Sequence, residues 1–150
     1  AEENGMEPIR ISQINYSLAH SSVETFGDNT LVCMDTKEFR WYKKHDFPVM
    51  AFSPQAKGFF AKLAKGDAAN NLPEGQYAGP ANLARLAKVK QLSEQTGDTP
   101  AKITLGYLNS QPFFVSSVFA VTKLWQLDED MEAQDLTYDP KTVAFLENMI

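Results

Sequence analysis

The sequence predicts an α/β fold built on a parallel sheet. Three observations lead there. Short apolar runs of strand length alternate with helical patterns, which implies crossover connections and parallel strands. The strand candidates are apolar on both faces, as strands covered by helices are. The helices between them carry capping residues at their starts.

Taken in order, residues 1–5 read as a helix end, with Gly5 where a left-handed cap is wanted. Residues 9–14, opening on Ile9-Arg10-Ile11, read as the first strand. Residues 18–33 are mixed polar and read as a loop or short helix. Asp35-Thr36-Lys37-Glu38 has the form of a capping box. The helix it opens should run to about Lys44, bury Phe39 and Tyr42, and end at His45-Asp46. Pro48-Val49-Met50-Ala51-Phe52-Ser53-Pro54 reads as a buried strand closed by a proline.

Residues 55–81 hold four of the eight glycines and no clear periodicity, so a long loop is expected. Leu83, Leu86, Ala87 and Val89 form a helical stripe ending near Gly97. Thr99-Pro100 is an N-cap with proline at the first helical position. The helix after it, 103–108, is apolar nearly all round and should be buried. Phe113–Phe119 is the third strand candidate. Leu124, Leu127 and Met131 give an amphipathic helix. Asp139-Pro140 opens the last helix, with Val143, Leu146 and Ile150 inward.

Composition bounds the function. The 150 residues are 43% hydrophobic, 22% charged and 11% aromatic, which excludes disorder, collagen and coiled coil and suits one domain. A net charge of −5 argues against nucleic-acid or membrane-surface partners, because no basic excess exists to neutralise phosphates. One cysteine, Cys33, excludes an internal disulfide and suits a reducing compartment. No apolar run reaches the roughly 20 residues of a membrane helix. The acidic start lacks a signal-peptide pattern, so a cytoplasmic protein is expected. His20 and His45 lack partners at metal-ligand spacing, so no metal site is expected. Three parallel strands do not close a barrel, which takes about 250 residues, so the chain reads as part of something larger.

Four segments, in order, resemble the aldo/keto reductases. Ser12-Gln13-Ile14-Asn15-Tyr16-Ser17-Leu18 is similar to the sixth barrel strand of that family. Ala51-Phe52-Ser53-Pro54-Gln55-Ala56-Lys57-Gly58 is similar to the strand-seven segment. Gly97 to Leu108 resembles the helix before strand eight. Val118 to Asp130, with Thr122-Lys123 and Gln126-Leu127, resembles the segment after it. The resemblance implies the C-terminal part of a (β/α)8 TIM barrel, its parallel strands alternating with helices, spanning residues 1–150 as a partial domain. It implies an NADPH-dependent oxidoreductase that transfers hydride to an aldehyde or ketone. The family's catalytic Asp-Tyr-Lys-His set would lie upstream, so no catalytic residue is assigned here. Tyr16, Tyr42 and His45 are of suitable type but sit in the wrong segments.

For the cofactor, the resemblance implies that Gln13 bonds the nicotinamide carboxamide and Phe52 stacks on its ring. Ser53, Pro54, Gln55 and Gly58 would line the pyrophosphate, with Lys57, Lys62 or Lys65 supplying charge. Thr122 and Lys123 would take the 2′-phosphate at a helix start. Gln126 and Asp130 would face adenine. Gln13, Phe52 and Thr122 should then share a cleft. The chain departs from the family at Gln55 (usually leucine), Phe119-Ala120 (Pro-Gly) and Asp130 (asparagine).

Each residue also has a plain structural reading. Gln13 would satisfy a strand end, Phe52 would be core, Thr122 would be a cap, and the lysines and the Asp128-Glu129-Asp130…Glu132 run would be solvated faces. Two other functions fit the same residues: a nucleotide-sensing or scaffold protein on this fold, or an inactive fragment. The exposed strand edges of a part-barrel predict self-association or pairing with the missing half.

Overall fold

The computed structural model describes residues 2–66 and 77–147. A three-stranded parallel sheet, in the order β1-β2-β3, is formed by β1 (Ser12–Asn15), β2 (Val49–Phe52) and β3 (Val115–Val118). Ser12 pairs with Val49, and Val49 with Val115. Seven α-helices accompany it among the described residues: α1 (Val23–Phe26), α2 (Thr36–His45), α3 (Phe59–Ala64), α4 (Pro80–Thr96), α5 (Pro100–Asn109), α6 (Leu124–Met131) and α7 (Pro140–Leu146). The alternation read from the sequence is therefore correct, and so is the parallel sheet.

The capping signals hold. Asp35 accepts from the Glu38 N–H at 2.8 Å, and α2 ends on Asp46 at φ 47°. Thr99 and Asp139 cap α5 and α7, each followed by proline. Val49 and Ala51 are fully buried and meet Ile14 and the α5 residues Ile103 and Leu108 in one core. The opposite sheet face holds Gln13, Met50, Phe52, Ser116 and Val118, which register places side by side.

Several expectations are corrected. β1 starts at Ser12, not residue 9, because β2 offers pairing only from Val49 onward; Ile9 is 81% exposed. β3 is Val-Ser-Ser-Val and nowhere fully buried, so it is not apolar on both faces. The 55–81 stretch contains a 3₁₀ turn at Ala56–Gly58 and then α3, whose Phe59, Phe60 and Leu63 are buried. That helix is under two turns long, too short for its period to stand out between glycines; residues 67–76 lie outside the described ones.

The inward face of α4 is Asn82, Val89 and Leu92, with Leu83 turned outward at 45% exposure. Asn82 sets that rotation. Its amide donates to the carbonyls of His20 and Tyr77 at 2.8 and 2.9 Å and accepts from the His20 N–H at 2.7 Å. On α6 the apolar stripe faces out: Leu124 is 74% exposed and Met131 50%, while Asp130 is buried at 4%. The acidic run is therefore not wholly solvated. On α7, Leu146 is buried; Ile150 lies outside the described residues.

Candidate functional site

The chain leaves β2 through a tight turn. Ser53, Ala56 and Lys57 all take positive φ, at 52°, 50° and 55°, before Gly58 at 79°. Left-handed backbone costs a non-glycine residue of order 1 kcal/mol. Two backbone bonds hold it: the Ala56 N–H donates to Ser53 and the Gly58 N–H to Gln55, both at 2.9 Å. Gly58 also admits a close neighbour, since a Cβ there would meet Lys62 Cε at 3.3 Å. Lys62 folds back over it and donates from Nζ to the Lys57 carbonyl at 3.0 Å. Lys57 places its own ammonium over the Phe26 ring, 5.8 Å from the centroid.

The start of α6 forms the facing wall. Gln126 Oε1 accepts from the N–H of Thr122 at 3.1 Å, from its hydroxyl at 3.2 Å and from the Lys123 N–H at 3.0 Å. One turn on, Asp130 Oδ1 accepts from Gln55 Nε2 at 2.6 Å, which ties the β2 turn to α6. Asp130 Oδ2 is buried with no hydrogen-bond partner. Burial lifts the Asp130 carboxyl above the ordinary carboxylate range; the Gln55 bond opposes this and the nearby Glu129 charge adds to it.

Between these walls and the first turn of α5 lies a cavity of about 280 Å³. Gln55, Gly58, Gln126 and Asp130 line it, with Lys62 and Lys65. Lys65 stands over Trp125, 5.2 Å from its ring centroid. The sequence reading assigns Gln55, Gly58, Gln126 and Asp130 to the cofactor and offers Lys62 and Lys65 as alternatives to Lys57 for its charge. It did not single out Trp125, Glu129 or the α5 wall at Pro100, Ala101 and Thr104. An aromatic beside Gln126 was the only available signal for Trp125.

The other predicted residues sit around this cavity rather than on its walls. Ser53, Pro54 and Lys57 belong to the same turn. Thr122 and Lys123 connect to it through Gln126. Gln13 and Phe52 share the open sheet face, two register steps apart, and neither they nor Thr122 line this cavity. Tyr16 and Tyr42 are core residues, and His45 lies against Trp41 with ring centroids 4.6 Å apart. No cluster suited to a metal ion occurs among the described residues, and no helix among them is long and apolar enough to cross a membrane.

The arrangement offers cations, a carboxylate acceptor and an exposed indole around one cavity. Comparison with known proteins agrees in fold and lineage. The model of the aldo/keto reductase family matches residues 3–150. A thermostable aldo-keto reductase solved with the inhibitor epalrestat is similar at TM-score 0.61 and 14% identity, over 96% of this chain and 41% of that one. Two aldo-keto reductase structures from Klebsiella pneumoniae are also similar. One, with NADP and acetate, gives TM-score 0.58 and 19% identity over 93% of this chain and 38% of its own. The other, with NADPH, gives 0.54 and 18%, over 91% and 38%. The chain thus spans about two-fifths of the length of these solved structures.

Proposed function

Because the chain belongs to the aldo/keto reductase family, we propose that it is the C-terminal part of a (β/α)8 barrel in an NADPH-dependent carbonyl reductase. Residues 1–150 then form a partial domain that carries much of the cofactor site and none of the catalytic set. A reducing, cytoplasmic setting accords with the single cysteine.

One observation carries the reading. Gln55 and Gly58 after β2, and Gln126 and Asp130 on α6, come from distant segments and wall one cavity with two lysines. The donor set fits a dinucleotide in parts. Asp130 Oδ2, buried and unpartnered, is an acceptor suited to the amino group of adenine. Lys62 and Lys65 supply charge for a pyrophosphate. The Thr122 donors are engaged by Gln126, and a 2′-phosphate there would be held by Thr122 and Lys123 in place of that bond. Gln13 and Phe52 on the open sheet face serve the nicotinamide end. A bound reduced nicotinamide supplies hydride for reduction of an aldehyde or ketone; this chain's residues bind and orient it.

Fluorescence of Trp125, read in a Trp41→Phe background, tests this. NADPH titrated into the chain should quench it saturably, with no carbonyl turnover across an aldehyde and ketone panel. Lys123→Ala should weaken NADPH about tenfold and leave NADH nearly unchanged, since only the former carries the 2′-phosphate. Absence of saturable quenching overturns the proposal, and turnover by the chain alone overturns the assignment of catalysis elsewhere.

A further inference from the structure

A second cavity, of about 440 Å³, opens between α2, α4, α5 and the residues that follow β1. It shares no lining residue with the first. Its floor is aromatic: Tyr16 and Tyr107 meet edge to face with centroids 6.3 Å apart, and Phe39 packs beside them on Phe113 at 5.5 Å. The Tyr16 hydroxyl is buried and lies toward that of Tyr107.

Three cations stand around it. Arg40 and Lys43 lie three apart on one face of α2. Arg85, half-buried on α4, donates from Nη1 to the Leu18 carbonyl at 2.6 Å and has no carboxylate at ion-pair distance among the described residues. A partly desolvated guanidinium without an acid is a costly arrangement. Two carboxylates also line the cavity, and both are engaged locally. Asp35 caps α2, and Glu147 accepts from the Tyr107 hydroxyl at 2.7 Å. The balance is one surplus positive charge over an apolar floor. A polyanion would meet the two carboxylates, and a neutral ligand would leave Arg85 unpaired.

We propose that this cavity binds a small aromatic monocarboxylate, its ring against Tyr16, Phe39 and Tyr107 and its carboxylate toward Arg85. The volume suits a ligand of that class. Arg40 and Lys43 draw the anion in and stay at the rim. The proposal is independent of the nucleotide reading, because the two cavities are separate.

Phenylacetate titrated into the chain should give saturable amide shifts in residues 16–21 and the first turn of α2. Phenylacetamide, the neutral isostere, should bind at least about tenfold more weakly. Arg85→Gln should weaken phenylacetate about tenfold, and Arg40→Gln at the exposed rim about threefold. Lys90→Gln, exposed on α4 and outside the cavity, should change nothing. Equal binding of acid and amide overturns the proposal, as does unaltered affinity in Arg40→Gln, whose exposed position does not threaten folding. Inorganic phosphate competing as well as phenylacetate overturns the monocarboxylate assignment.

Discussion

At Asp130 a carboxylate is held at 4% exposure with one oxygen bonded to Gln55 and the other to nothing. Burial raises its pKa on folding. A carboxyl so shifted favours the folded state while protonated; that contribution is complete below the ordinary carboxylate range and is lost as pH rises through the raised value. Asp130→Asn keeps an acceptor for Gln55 and removes the charge. It should therefore stabilise the chain at pH 7, by up to about 1 kcal/mol, with the advantage shrinking toward pH 4. Thermal melts at the two pH values check this; an advantage equal at both would mean that Asp130 is not held against its charge. The departures from the family at Gln55 and Asp130 were legible in the sequence. That the two side chains bond each other was not, because they are 75 positions apart.

At the scale of elements, short-range chemistry was readable and facing direction was not. Asp35, Thr99 and Asp139 cap their helices where the sequence put them, since a cap involves only its own first turn. The rotations of α4 and α6 depend on distant groups. Asn82 turns α4 toward His20 and Tyr77 and leaves Leu83 outside while Leu86 and Val89 stay on the core, and Gln55 draws Asp130 inward on α6 against its apolar stripe. Helix α5 packs closely on the segment between α6 and α7. A Cβ on Gly106 would sit 2.9 Å from both Leu136 Cγ and Tyr138 Cε2. Gly106→Ala gains up to about 1 kcal/mol of helix propensity and incurs overpacking of about 1–3 kcal/mol. The ring of Tyr138 yields less readily than a flexible chain, so a net loss of about 1–2 kcal/mol is expected. Urea denaturation should show a lower midpoint with unchanged slope; a midpoint at or above wild type would contradict the α5 packing.

For the whole molecule, β1 and β3 are the outer strands of the sheet, and the face bearing Gln13, Met50, Phe52, Ser116 and Val118 lies away from the helix-side core. Leu124, Trp125 and Met131 are exposed on α6. Outer strands and apolar surface of this kind template association. The chain should run in light scattering at a multiple of its 16.7 kDa; a monodisperse monomer that unfolds cooperatively would count against that expectation. Alternation, parallel pairing, caps and family likeness were determined by the sequence alone, because each is written in residues close together or in ordered motifs. Which side of α4 and α6 turned inward, the joining of Gln55 to Asp130, and the two separate cavities were decided only by tertiary structure. Those depend on burial and hydrogen bonds between side chains that meet only after the chain has folded, and no local pattern records such a meeting.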